Sequence, residues 1–191
     1  NFGLSGGWVL VYSSLVMMIL RFNVGPIIKR LGPPGLMITS SIAAALGLFF
    51  IGNVSGIWIV VAATVYAIGQ TFFWPTTIGI VGEQFPKGGA LTLNSITGVG
   101  MIGVGILGTP LLGLIQDNQI NQQLQIQDVT VYEKVVTLEK QSIYGRYKAF
   151  DPYMVKELEE PEQDLIEKIR NSAKKHALTV AAVVPLFMAI C

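Results

Sequence analysis

Tyr66, Gln70, Trp74 and Thr77 follow one another at i, i+4, i+8 and i+11, a spacing that puts all four on one face of a helix. Their side chains can hydrogen-bond a polar ligand and stack on a ring. None of them is a ready nucleophile or a general base at neutral pH. Asn94 and Thr97, one turn apart, add a second pair that suits either a ligand cavity or the backbone near a helix end. Ser13 and Ser14 read as packing residues bonded to their own helix backbone. Covalent and metal chemistry find little else to use. The chain has one histidine, His176, and one cysteine, Cys191, so no disulfide forms within it and no His/Cys metal cluster can be assembled. No cofactor or metal is implied. His176 reads as interfacial beside Lys174 and Lys175, and Cys191 as packed against lipid or a neighbouring helix.

The elements that carry these residues are apolar. The 191 residues are 51% hydrophobic and 13% charged, about half the charge of an ordinary soluble domain. Of the 13 basic and 12 acidic residues, only Arg21, Lys29, Arg30, Glu83 and Lys87 precede Asp117. A net charge of +1 gives no sign of nucleic-acid binding. A membrane-crossing helix needs roughly 20 apolar residues, and five stretches qualify or nearly so: 2–20, 35–52, 57–82, 90–115 and a last one from about His176. Buried Gln and Trp need hydrogen-bond partners in hydrocarbon, so the Tyr66–Thr77 face is expected to look into the bundle. Pro75 removes a backbone donor and predicts a kink beside Trp74. No ionisable residue lies in the middle of the first four spans, so no proton relay is marked there. The sequence starts with Asn, enters a span at once and stops inside another, and so reads as a fragment of a longer protein.

The loops give an orientation. Residues 21–34 and 83–89 share one side by parity and hold all the basic residues of the short loops, which places them in the cytoplasm by the positive-inside rule. The turn at 53–56 and the charged insert 116–175 then lie outside. Within the insert, Gln116–Gln127 reads as a linker, Asp151-Pro152 as a helix start, and Leu165, Ile166 and Ile169 as one helical face.

Gly25-Pro26-Ile27-Ile28-Lys29-Arg30-Leu31-Gly32 resembles the loop signature of the major facilitator superfamily, Gly-x-Leu-Ala-Asp-Arg-x-Gly-Arg-Lys. Gly25, Arg30 and Gly32 match. Lys29 stands where the family has Asp, and Pro33-Pro34 replace the basic pair. The glycine-proline run from Gly98 through Gly105, Gly108 and Pro110 to Gly113 resembles the flexible packing helix of the same family. Gly69-Gln70-Thr71-Phe72-Phe73-Trp74-Pro75, followed by Phe85-Pro86-Lys87-Gly88, looks like bacterial members.

The resemblance implies an all-α integral membrane protein, a fragment of the C-terminal six-helix half with about five transmembrane helices and a mostly helical extramembrane insert. Residues 1–115 would be the eighth to eleventh helices, 116–175 the insert, and 176–191 the start of the last helix. It further implies secondary transport of a small polar solute by alternating access, in a bacterial inner or plasma membrane, with the missing N-terminal half and membrane lipid as partners and protons as the candidate coupling ion. By the same resemblance Arg30 and Glu83 would latch the cytoplasmic gate, with Gly25 and Gly32 shaping its loop. Pro75, Gly105, Gly108 and Pro110 would serve as packing or hinge positions, and Tyr66, Gln70, Trp74, Thr77 and Asn94 as cavity lining. A membrane-embedded enzyme is disfavoured because the spans carry no ionisable or metal-binding cluster. A non-transporting receptor or scaffold that binds a partner through the insert is the alternative.

Overall fold

The computed structural model describes residues 6–190. Phe2 to Ser5 of the first span, and Cys191, lie outside the described residues. Among the described residues the fold is mainly helical, with one two-stranded hairpin. Four of the described helices are long and apolar enough to cross a membrane: Val24–Asn53, Trp58–Gln84, the continuous stretch Pro86–Gln127, and Glu160–Ile190. The described part of the first span, α1 (Gly6–Phe22), is shorter.

The chain divides into two compact units. The first holds the described residues through Gly98 and those from Leu178 on; the second is Val99–Ala177. The division falls inside the fourth span rather than at 115/116, because later residues pack back onto the helix that follows Val99.

In the first unit, α2 (Val24–Asn53) absorbs most of the expected loop 21–34. It is two helical segments joined at Gly32, whose φ of 66° and ψ of 167° interrupt the helix. Gly supplies the positive φ without a Cβ clash. Pro33 and Pro34 then open the second segment, where a missing N–H costs nothing. The helix α3 (Trp58–Gln84) lies between α1 and α2 and touches both. Its seam with α2 is built from small residues: Ser40, Ser41, Ala44, Ala45 and Gly47 on α2, with Ala62, Ala63, Ala67 and Gly69 on α3, all buried. At Gly69 a Cβ would meet the Ala44 backbone nitrogen, with Ala44 Cα and the Ser40 carbonyl at 2.7 Å. At Gly47 it would come within 2.5 Å of Tyr66 Cα. Two helices of apolar surface gain little from each other's hydrophobicity in lipid, and close backbone approach is what holds them. On the other side Tyr12 and Thr64 share a hydroxyl hydrogen bond of 2.9 Å between α1 and α3. The last helix, α9 (Val183–Ile190), packs on α2.

The fourth span begins after the 3₁₀ turn Pro86–Gly88 with α4 (Gly89–Ile102). It passes through a π-helical segment, Gly103–Gly108, and continues as α5 (Thr109–Gln127). The stretch 116–127 is therefore helix, not linker. Asn118, Gln122, Gln125 and Gln127 are exposed, while Ile120 and Leu124, one turn apart, enter a core. That core unites Ile120 and Leu124 with Val131 and Val135 of α6 (Val129–Val135), with Val136 and Phe150, and with Ile166, Ile169 and Ala173 of α8 (Glu160–Ala181). The guanidinium of Arg170 sits 5.5 Å over the Phe150 ring.

A hairpin of β1 (Leu138–Ser142) and β2 (Gly145–Ala149) interrupts the helices of the insert. It pairs in the register Leu138↔Ala149 to Ser142↔Gly145. Gly145, at φ 108°, closes its turn. Asp151 does cap a helix, accepting from the Tyr153 N–H at 2.9 Å, but α7 (Pro152–Val155) is only four residues long. Leu165, Ile166 and Ile169 belong to the separate α8.

Two polar contacts tie α6 down. Asp128 accepts from the N–H groups of Thr130 and Val131 and from the Thr130 hydroxyl at 2.6 Å. The Thr130 hydroxyl first, then the Val131 N–H, hold its carboxyl below the usual value of 3.8. Lys134 pairs with Glu162 at 2.9 Å, and that hydrogen bond raises its ammonium above the usual 10.5. The signs are opposite. The Asp128 contribution is complete above pH 3.8 and fades as the pH falls through its lowered folded value, whereas that of Lys134 is complete below pH 10.5 and fades as the pH rises through its raised one. Melting of the full chain, followed by circular dichroism against pH, is expected to show Asp128→Ala losing part of the acid-side slope and Lys134→Ala part of the alkaline one.

Candidate functional site

The four residues of the α3 face do not line a closed interior among the described residues. Tyr66 is half-buried at the α2 seam, where its backbone abuts Gly47. Thr77 is half-buried and donates to its own helix, at the Phe73 carbonyl, 2.7 Å away. Gln70 is exposed and Trp74 is 41% exposed. Gln70 and Trp74 thus lie outside the α2–α3 seam. The physical reason is the seam itself: helices that approach through Gly and Ala leave no room for a glutamine or an indole. The buried polar residues of α3 are instead Thr71 and Thr76, and Thr71 donates to the Ala67 carbonyl at 2.5 Å.

Gln70 and Trp74 thus share a face of α3 that neither α1 nor α2 covers. Pro75, also exposed, deprives the Thr71 carbonyl of its usual donor. α3 runs as one helix through Pro75, with no break in its helical assignment beside Trp74. Asn94 is exposed on α4, and none of the described hydrogen bonds uses its side chain; Thr97 beside it donates to the Leu93 carbonyl at 2.8 Å. Ser14 donates to the Leu10 carbonyl at 2.9 Å, as a packing serine does.

The gate residues are placed but not joined. Arg30 precedes the break at Gly32 by two residues, Glu83 lies in the last turn of α3, and both are exposed. Among the described residues Arg30 and Glu83 form no ion pair with each other, so their latch is not formed in this conformation. Gly25 sits in the first turn of α2 with open space where a Cβ would go.

Gly105, Gly108 and Pro110, expected as packing or hinge positions, fall at an irregular stretch of helix. Gly105 and Gly108 lie in the π-helical segment, and Pro110 is in the first turn of α5 beyond it. The Thr109 N–H and hydroxyl both reach the Val104 carbonyl, five residues back, the hydroxyl at 3.1 Å. A π-turn inside an α-helix is an uncommon, weaker register that is often found at functional sites.

Two features escape a reading by composition. Tyr12 and Thr64 bond across two spans, a pairing that no local pattern reports. An apolar cavity of about 260 Å³ lies between α2 and α3 beside their connecting turn, lined by Phe50, Val54, Trp58, Val61, Ala62 and Val65. In the second unit a cleft of about 470 Å³ is lined by Lys134, Met154, Glu157, Leu158, Glu159 and Glu162. No family model matches this chain, and no curated protein or solved structure matches it either.

Proposed function

We propose that this chain is part of a secondary transporter of the major facilitator type, which moves a small polar solute by alternating access. The observation that carries the reading is the conjunction, in one chain, of the Gly25–Gly32 motif broken at Gly32, a small-residue seam between α2 and α3, and a π-helical segment at the glycine-proline run. A glycine break between two helical segments, a close-packed small-residue seam and a π-helical segment all suit the rigid-body rocking of a membrane bundle. In this reading the uncovered Gln70 and Trp74 face the cavity shared with the other half of the transporter. Gln70 supplies a hydrogen bond and Trp74 a stacking surface, with Tyr66, Thr77 and Asn94 nearby along the wall. The Arg30–Glu83 latch closes in the outward-facing state and is open in the conformation described above.

Flux tests the reading directly. The full-length protein in proteoliposomes, offered a panel of labelled sugars, carboxylates and amino acids with and without an imposed proton gradient, is expected to move at least one of them. Gln70→Ala and Trp74→Ala are each expected to cut that flux about two- to tenfold, since a ligand hydrogen bond and a ring-stacking contact are each worth about 0.5–1.5 kcal/mol. No flux for any solute would remove the proposal. The latch has its own test. Arg30→Gln and Glu83→Gln are expected to shift accessibility from the cytoplasmic side, and the swapped pair to restore part of it. Additive effects in the double-mutant cycle would show that the two charges never meet.

A second reading is favoured by a specific observation. The Val99–Ala177 unit has its own hydrophobic core and an acidic-rimmed cleft at Glu157, Glu159 and Glu162. A membrane receptor or scaffold that presents this unit to a basic partner would use the same chain without transport. Specific capture of a partner by the full-length protein, with no solute flux, would favour it.

A further inference from the structure

The hairpin is laid along the π-helical segment Gly103–Gly108 and α5, and its contacts run in order from tip to base. The Tyr144 hydroxyl donates to the Leu107 carbonyl at 3.1 Å. The Tyr147 hydroxyl is 3.7 Å from where a Cβ on Gly113 would stand. Lys140 pairs with the buried Asp117 at 3.1 Å, and Asn121 donates to the Lys148 carbonyl at 2.8 Å. The strands carry Glu139, Lys140, Arg146 and Lys148, all exposed. The two turn residues at the tip are apolar or amphipathic and also exposed, Ile143 by 61% and Tyr144 by 44%. Just beyond the tip, the helix offers Met101, Ile102, Val104 and Ile106, each more than half exposed.

Four charges beside 107–121 belong in water, since an ionised side chain in hydrocarbon costs several kcal/mol. The bare apolar helix begins where the hairpin ends. From Gly89 to Leu107 is about 28 Å at 1.5 Å per residue, close to the ~30 Å of a hydrocarbon core. A span ending at Ile115 would be about 40 Å long by the same rise, with the charged strands alongside its last third.

We propose that the fourth span leaves the bilayer at Leu107, and that the hairpin tip Ile143–Tyr144 is a docking surface for lipid, seated at the headgroup–acyl boundary. Tyr144 is suited to this place. Its ring has an apolar body for the acyl edge, and its hydroxyl is already satisfied by the Leu107 carbonyl. Arg146, one residue behind the turn, stands where a lipid phosphate would be. The π-helical segment then lies just inside the interface, pinned at its end by the docked tip. The inference rests on the reading of the helix Gly89–Leu107 as membrane-crossing.

Nitroxide labels on single cysteines would test it, in the full chain with Cys191→Ser, reconstituted into phosphatidylglycerol–phosphatidylcholine vesicles. Labels at Ile106, Leu112, Gln141 and Ile143 are compared by collision with oxygen and with a water-soluble nickel chelate. The expected result is Ile106 in hydrocarbon, Ile143 at the boundary, and Leu112 and Gln141 in water. Leu112 in hydrocarbon would overturn the proposal by moving the boundary outward. Ile143 as accessible to nickel as Gln141, or shielded from both reagents, would also overturn it, since the tip would then meet water or protein. Nickel contact at Ile106 would overturn the membrane-crossing reading itself and the proposal with it.

Discussion

Replacing Gly69 with alanine is expected to destabilise the helix bundle by about 3 kcal/mol, the upper end of the usual cost of overpacking a filled interior. The added methyl would meet the backbone of α2, with Ala44 Cα and the Ser40 carbonyl at 2.7 Å. Backbone on both sides cannot swing away as a flexible side chain can, so α2 and α3 must separate. Separation also loosens the neighbouring contact at Gly47 against Tyr66. Gly79 is the control. It lies on the same helix with open space where its Cβ would go, so Gly79→Ala is expected to be neutral or stabilising by up to about 1 kcal/mol, as alanine is in a helix interior. Denaturant titration of the full chain in detergent measures both. Equal shifts for the two variants would mean that α2 and α3 do not meet through this seam.

Leu124→Ala is expected to cost about 2–5 kcal/mol, the range for a buried leucine whose neighbours cannot fully collapse into the space. Leu124 is fully buried among Ile120, Val131, Val135 and Ile166 in the core of the Val99–Ala177 unit. Ile126, two residues on, is 84% exposed, and Ile126→Ala is expected to change stability by less than about 0.5 kcal/mol. Hydrogen exchange of the full chain distinguishes the outcomes residue by residue. Loss of protection in α6 and α8 for Leu124→Ala alone is the expected pattern. The same mild response from both variants would return 116–127 to the status of a linker.

The two sites show where sequence reasoning succeeds and where it stops. Asp151-Pro152 was legible because capping is local: a carboxylate, a proline and the next N–H decide it within three residues. The length of the helix they start was not, since Leu165, Ile166 and Ile169 needed a second start at Glu160 to reach the same core. Gly32 stood out only through the motif resemblance, as part of a loop; that it joins two helical segments is decided by its φ of 66°. Gln116–Gln127 misled because its composition is polar, although Ile120 and Leu124 already stood one turn apart. The hairpin at 138–149 left little signal, for its strands are five residues each and mostly exposed. Of the candidate site, Gln70 and Trp74 were correctly put on one face of one helix, but that face does not lie between α3 and its neighbours here.

The sequence by itself determined the helices of the apolar stretches, since backbone polar groups removed from water must bond within their own segment. It determined as well that charge gathers after Asp117, and with it the division into apolar and water-seeking parts. Only the tertiary structure decided which side of each helix is covered. Apolar residues surround α3 on every side, so periodicity carries no direction, and the choice falls to whichever positions let two backbones come close. Gly47 and Gly69 do so, and they put the seam between α2 and α3, leaving Gln70 and Trp74 uncovered. The hairpin likewise finds its place on the helix after Val99 through single contacts at Leu107, Asp117 and Asn121, which depend on distance in space rather than on spacing along the chain.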